Sequence, residues 1–100
     1  MADDGADTFW DVKVNVHKGR DGYGIYFTSK DGMIKVTKVD TGSEASQAGV
    51  QPNDELVSVM DLDKQPQEEV IVRPENYHEA LQLVRAMNHC CMKFKSPGFG

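Results

Sequence analysis

The 100-residue sequence contains no apolar run approaching the length of a membrane span, which argues against a transmembrane helix. Its start, Met1 to Thr8, is acidic and small instead of basic and then apolar, so it does not read as a secretory signal. Positive charge is in short supply. The net charge of −5 argues against general nucleic-acid binding, which needs basic surface to displace counterions. Cysteine is confined to one adjacent pair, Cys90 and Cys91. Neighbouring thiols make a poor structural staple, so both are expected to be reduced, in a cytoplasmic setting.

Recognisable catalytic constellations are missing as well. There is no Gly-x-Ser-x-Gly elbow, and Ser43 and Ser46 lie in loop contexts without an evident base. His17, His78 and His89 show no metal-ligand spacing with each other or with the cysteines. The carboxylates are scattered or clustered on loops, with no pair set for acid–base work. The chain is therefore expected to be neither an enzyme nor a holder of a metal or cofactor.

What is present is one domain's worth of ordinary globular composition, organised around Asp21-Gly22-Tyr23-Gly24-Ile25-Tyr26-Phe27. The paired glycines permit a tight loop with positive φ. Ile25, Tyr26 and Phe27 favour an extended, half-buried strand after it. Such a loop can aim successive backbone N–H groups at one point, as a nest for an anion. A dinucleotide fingerprint needs a glycine three residues after Gly24, where Phe27 stands. A phosphate-binding P-loop needs Gly-Lys-Ser/Thr opening a helix, and that too is absent.

The stretch resembles the carboxylate-binding Gly-Φ-Gly-Φ loop of PDZ domains, whose peptide ligands add a strand beside it. A second segment carries the same resemblance: Ala45-Ser46-Gln47-Ala48-Gly49-Val50-Gln51-Pro52-Asn53-Asp54 is similar to the family's Ala-x-x-Ala-Gly-Leu-x-x-Gly-Asp. It departs at Val50 and at Asn53, and Asn is the best non-glycine residue where a left-handed conformation is needed.

In chain order, residues 1–8 are expected to form a disordered acidic extension. Val12, Val14 and Val16 alternate with polar residues as a first strand, with His17 on the solvent phase. Asp31-Gly32 marks a hairpin turn, and Ile34 to Val39 is a third strand with Lys35, Thr37 and Lys38 on exposed positions. Glu44 to Ala48 is one or two helical turns. Glu55 to Met60 is a fourth strand, and the acidic segment Asp61 to Pro74 holds a short strand, Val70 to Val72. Asn76 with Glu79 predicts a capping box at the start of the main helix. That helix puts Tyr77, Leu81 and Val84 on one side of its apolar arc, and Ala80, Leu83 and Met87 on the other. Cys90 to Lys95 closes the domain, and 96–100 is expected to be a flexible tail.

The resemblance covers about Asp11 to Lys95 and implies a mainly β fold with two helices (α+β). In that fold, five or six strands form a partly open antiparallel β-sandwich or barrel over residues 9–95, capped by a short and a long helix. It further implies a monomeric, cytoplasmic interaction module, excised from a longer scaffold or adaptor in signalling. Such a module binds C-terminal tails of membrane receptors or signalling proteins, with at most weak or indirect membrane contact. By the same resemblance, Tyr23, Gly24, Ile25 and Lys18 hold the peptide carboxylate. Tyr26, Phe27, Thr28, Thr37, Tyr77, Leu81 and Val84 line the groove. Tyr77 stands where many PDZ domains have histidine, which by the resemblance implies an acidic or apolar residue, not Ser or Thr, third from the ligand's end. Two alternatives stay open: a scaffold–scaffold module reading an internal motif, and the regulatory domain of a protease.

Overall fold

The computed structural model describes residues 10–20 and 22–96, so the expected extension at 1–8 and the tail residues 97–100 lie outside the described residues. The element order is β1 (Val12–His17), β2 (Ile25–Lys30), β3 (Met33–Val39), α1 (Glu44–Ala48), β4 (Glu55–Asp61), β5 (Glu69–Ile71), α2 (Tyr77–Ala86) and β6 (His89–Lys95). The fold is mainly β with two helices. Six antiparallel strands form one open sheet in the order β1-β6-β4-β3-β2, with β5 paired to β4. Neither helix among the described residues is long and apolar enough to cross a membrane.

Local chemistry sets the elements. Asp31 and Gly32 both take positive φ, 54° and 78°, the combination a two-residue hairpin turn requires. Asn53 has φ 80°, so the left-handed position expected there exists and asparagine fills it. The turn it belongs to is closed by buried Asp54, whose carboxylate accepts from the Gln51 amide at 2.9 Å. Ser43 caps α1 by accepting the Ser46 amide at 3.1 Å, and Gly49 ends it in the left-handed region.

The core gathers the inward phases of the strands: Val16, Ile34, Val36, Leu56, Val59, Met92 and Phe94, closed by Ala45 of α1 and by Ala80 and Val84 of α2. Fully burying one such aliphatic or aromatic side chain contributes about 1.5–3 kcal/mol.

Two expectations need correction. Asn76 occupies the N-cap position of α2 without capping it. Its side chain instead accepts from the Arg73 amide at 2.8 Å and donates to the Ile71 carbonyl at 2.9 Å, so it secures the β5–α2 linker and no capping box forms. His17 is exposed as expected but not merely solvated. Its Nδ1 lies 2.9 Å from Glu44 Oε2, and its ring stacks on His89 with centroids 4.0 Å apart. Ser96, at the head of the expected tail, donates its amide to Asp11 at 2.8 Å.

Candidate functional site

β2 is an edge strand, and its hydrogen bonding shows which groups face outwards. The Asp40 amide donates to the Gly24 carbonyl at 2.8 Å. The facing pair Ile25–Val39 is therefore a non-hydrogen-bonded pair, and Ile25 turns its own N–H and C=O to the open edge. Counting back from the Lys30–Met33 pair that closes the tight turn, Phe27 opposite Val36 does the same. The register shift between Tyr26 and Phe27 leaves Thr37 of β3 as the extra residue, and its hydroxyl donates to the Tyr26 carbonyl at 3.2 Å.

Ahead of β2, Gly19 and Gly22 pinch the chain by exchanging backbone bonds of 2.8 and 3.2 Å. Gly22 and Gly24 then take φ of 99° and 83°, a conformation that L side chains rarely adopt. Among the described residues, no group accepts from the backbone amide of Tyr23 or Gly24.

Between this loop and α2 lies a cavity of about 280 Å³, lined by Lys18, Gly22, Tyr23, Ile25, Tyr26, Phe27, Leu81, Val84 and Arg85. Seven of the residues singled out from the sequence thus meet at one place: Lys18, Tyr23, Ile25, Tyr26, Phe27, Leu81 and Val84. Four do not. Gly24 borders a neighbouring depression with His17, Ser43 and Glu44. A Cβ added there would lie 2.7 Å from Ser43 Cβ, away from the cavity. Thr28 and Thr37 line a separate depression on the outer face of the β2–β3 hairpin, beside Lys30, Lys35 and Asn53. For Thr28 the reason is strand alternation, which turns it away from the Ile25–Phe27 face. For Thr37 the reason is the bulge. Tyr77 opens α2 beyond the cavity, half-buried against the core with Leu81, its ring centroid 4.2 Å from that of His78.

The Tyr23 side chain holds a feature the sequence reading missed. Its ring is buried, and its hydroxyl donates to the Val84 carbonyl at 2.8 Å and to the Met87 carbonyl. Lys18 Nζ donates to the neighbouring Arg85 carbonyl. The signal was present: a buried tyrosine needs a partner for its hydroxyl, and α2 ends at Ala86 with no glycine to cap it. Burial, followed by the nearby Cys90 thiol, pushes the Tyr23 phenol well above its ordinary range, so it stays a donor. Burial also pushes the Cys90 thiol up to about 11 and raises Cys91, which disfavours the thiolate that cysteine chemistry requires.

The chain matches no protein-family model and none of the curated proteins.

Proposed function

We propose that the cavity between the Gly22–Gly24 loop and α2 receives the C-terminal residue of a partner protein, whose tail adds to β2 as an antiparallel strand in the manner of a PDZ domain. One observation carries this reading: the outward polar groups of Ile25 and Phe27 run along the mouth of an apolar cavity whose loop holds amides without acceptors among the described residues. An apolar side chain enters between Ile25, Phe27, Leu81 and Val84. The amides of Tyr23, Gly24 and Ile25 take the terminal carboxylate, with Lys18 at the rim, and the ladder groups of Ile25 and Phe27 fix the tail's register. The protein is a binding module and not an enzyme. It acts in the cytoplasm as part of a scaffold or adaptor, on the tails of receptors or signalling proteins. Affinity is on the order of micromolar, because the tail is short and must be ordered.

Fluorescence titration of one tail peptide ending in valine, as free acid and as C-terminal amide, tests the reading. Each bond from an amide to a charged oxygen contributes about 1.5–3 kcal/mol, so amidation weakens binding about tenfold or more. Equal affinity for both forms would transfer the site to an internal motif. Failure of a random C-terminal peptide library to yield any binder would sink tail recognition altogether.

A further inference from the structure

α2 has an ending that its own backbone does not complete. The last carbonyls of a helix lack intrahelical donors. Here Met87 leaves the helix in extended conformation, φ −83° and ψ 157°, returning one bond to the Leu83 carbonyl. The Val84, Arg85 and Met87 carbonyls are served instead by side chains from across the cavity: the Tyr23 hydroxyl for Val84 and Met87, the Lys18 ammonium for Arg85. Among the described residues, these are the side-chain hydrogen bonds that join the loop wall to the helix wall. At its other end α2 is tied by Asn76 to the β5 side, through Ile71 and Arg73, and not to β2. The helix is thus fixed against the loop at the end where the cavity lies.

We infer that Tyr23 is a positioning residue that sets the width of the cavity, and so the size of side chain it admits, by clamping the last turn of α2 to the loop. The geometry makes the spacing short and stiff. The ring is packed in the core, leaving a single rigid reach from the loop to Val84 and Met87. One phenolic hydrogen serves two carbonyls, so losing the hydroxyl orphans both at once. Lys18 is the looser half of the clamp. Its head sits on an exposed, flexible stem, and a ligand carboxylate at the rim would compete with Arg85 for it. A phenylalanine at position 23 keeps the ring and the packing while freeing the helix end to move outwards. The inference deepens the proposed tail recognition and rests on it for the word ligand, but the clamp itself belongs to the free protein.

The experiment has two arms, each on wild type, Tyr23→Phe and Lys18→Ala. In the first, amide hydrogen exchange is followed in the free protein. The Tyr23→Phe variant is expected to exchange about tenfold faster at Arg85, Ala86 and Met87, with a distinctly smaller rise at the β4 and β6 amides, which report global stability; Lys18→Ala gives a smaller effect at the same helix-end amides. Unchanged exchange in Tyr23→Phe overturns the clamp, whatever peptides do. In the second arm, tail peptides ending in valine and in phenylalanine are compared. The valine-over-phenylalanine affinity ratio is expected to fall about fivefold in Tyr23→Phe, which a loss of stability alone would not produce. Faster exchange with an unchanged ratio overturns the size-setting role and leaves tail recognition standing. Should no tail peptide bind even the wild type, tail recognition fails, and size selection for a ligand's last residue is overturned with it, while exchange still decides the clamp.

Discussion

The His17 amide donates to Glu44 Oε1 at 2.7 Å while the His17 imidazole meets Oε2 of the same carboxylate at 2.9 Å. Backbone and side chain of the last β1 residue therefore converge on the first residue of α1. The bond closes the outward N–H of an edge strand, which would otherwise offer itself to another chain. It also seats α1 beside the depression that Gly24 borders.

That contact predicts a defined acid response. The His17 amide bond, and then the bond from its imidazole, hold the Glu44 carboxyl below its ordinary value of 4.5. A carboxyl depressed by folding contributes stability that is present above the ordinary value and is lost as pH falls through the folded one. Urea unfolding should therefore show Glu44→Gln less stable than wild type at about pH 6, with the gap closing as the pH falls below 4.5 and through the lowered folded value. The gap is at most about 1 kcal/mol, because the Glu44 side chain is 46% exposed and water screens it. Glu69, lowered first by the Ser58 hydroxyl, follows the same sign. Asp54, raised by burial, has the opposite sign. A gap constant from neutral to strongly acidic pH would show that Glu44 acts through packing alone.

Much of this fold was legible because its signals are local. Val12, Val14 and Val16 alternate, Asp31-Gly32 turns, and Asn53 fills a left-handed position, each read from a few adjacent residues. Seven of the eleven candidate site residues converge for the same reason: the glycine loop, the strand after it and one side of α2 each have a fixed periodicity. What was not legible depends on residues far apart in the chain. The Tyr23 hydroxyl reaches a carbonyl 61 residues away, and Glu44 reaches back 27 residues to His17. Thr37 lies outside the cavity, exposed beside buried Val36 and set as the extra residue of a bulge, and periodicity cannot announce an insertion of one. Asn76 had the sequence of a cap but spends its amide on the linker, where the Arg73 and Ile71 backbone groups were closer partners.

Gly24 offers a second prediction, with a cause different from the one its motif suggests. Substitution there does not reach into the cavity: an added Cβ would meet Ser43 at 2.7 Å for Cβ and 3.2 Å for Oγ. Ser43 is the N-cap of α1, so Gly24→Ala should displace that cap as well as strain a backbone with φ of 83°. The left-handed conformation costs about 1–2 kcal/mol for a residue with a side chain, and the steric conflict adds to it. Thermal unfolding should fall accordingly, and the Ser46 amide should exchange faster. Full stability in Gly24→Ala would mean that the loop can adopt a different backbone, and would remove the argument for two positive-φ glycines.

The last prediction concerns the ligand residue third from the end. A strand added to β2 turns alternate side chains towards α2, so the third-from-last lies about 7 Å along the strand from the one in the cavity. Leu81 lines the cavity, and Tyr77 sits one helical turn further on, a rise of about 5.4 Å. If a tail adds to β2 as proposed, Tyr77, half-buried, and not the exposed His78, is expected to meet it. Among the described residues the Tyr77 hydroxyl has no hydrogen-bond partner. No side chain caps the amides of the first turn of α2, and a helix N-terminus favours negative charge. Both conditions favour an aspartate or glutamate at that ligand position, while the ring with Leu81 keeps an apolar residue second and serine or threonine third. Binding of peptides varied only there should show an acidic preference in wild type that weakens about three- to tenfold in Tyr77→Phe, as one exposed bond to a carboxylate is lost. Tyr77→His should instead raise serine and threonine, since an imidazole can accept or donate to a hydroxyl. An identical profile in all three proteins would place the ligand out of this register and move the search to His78.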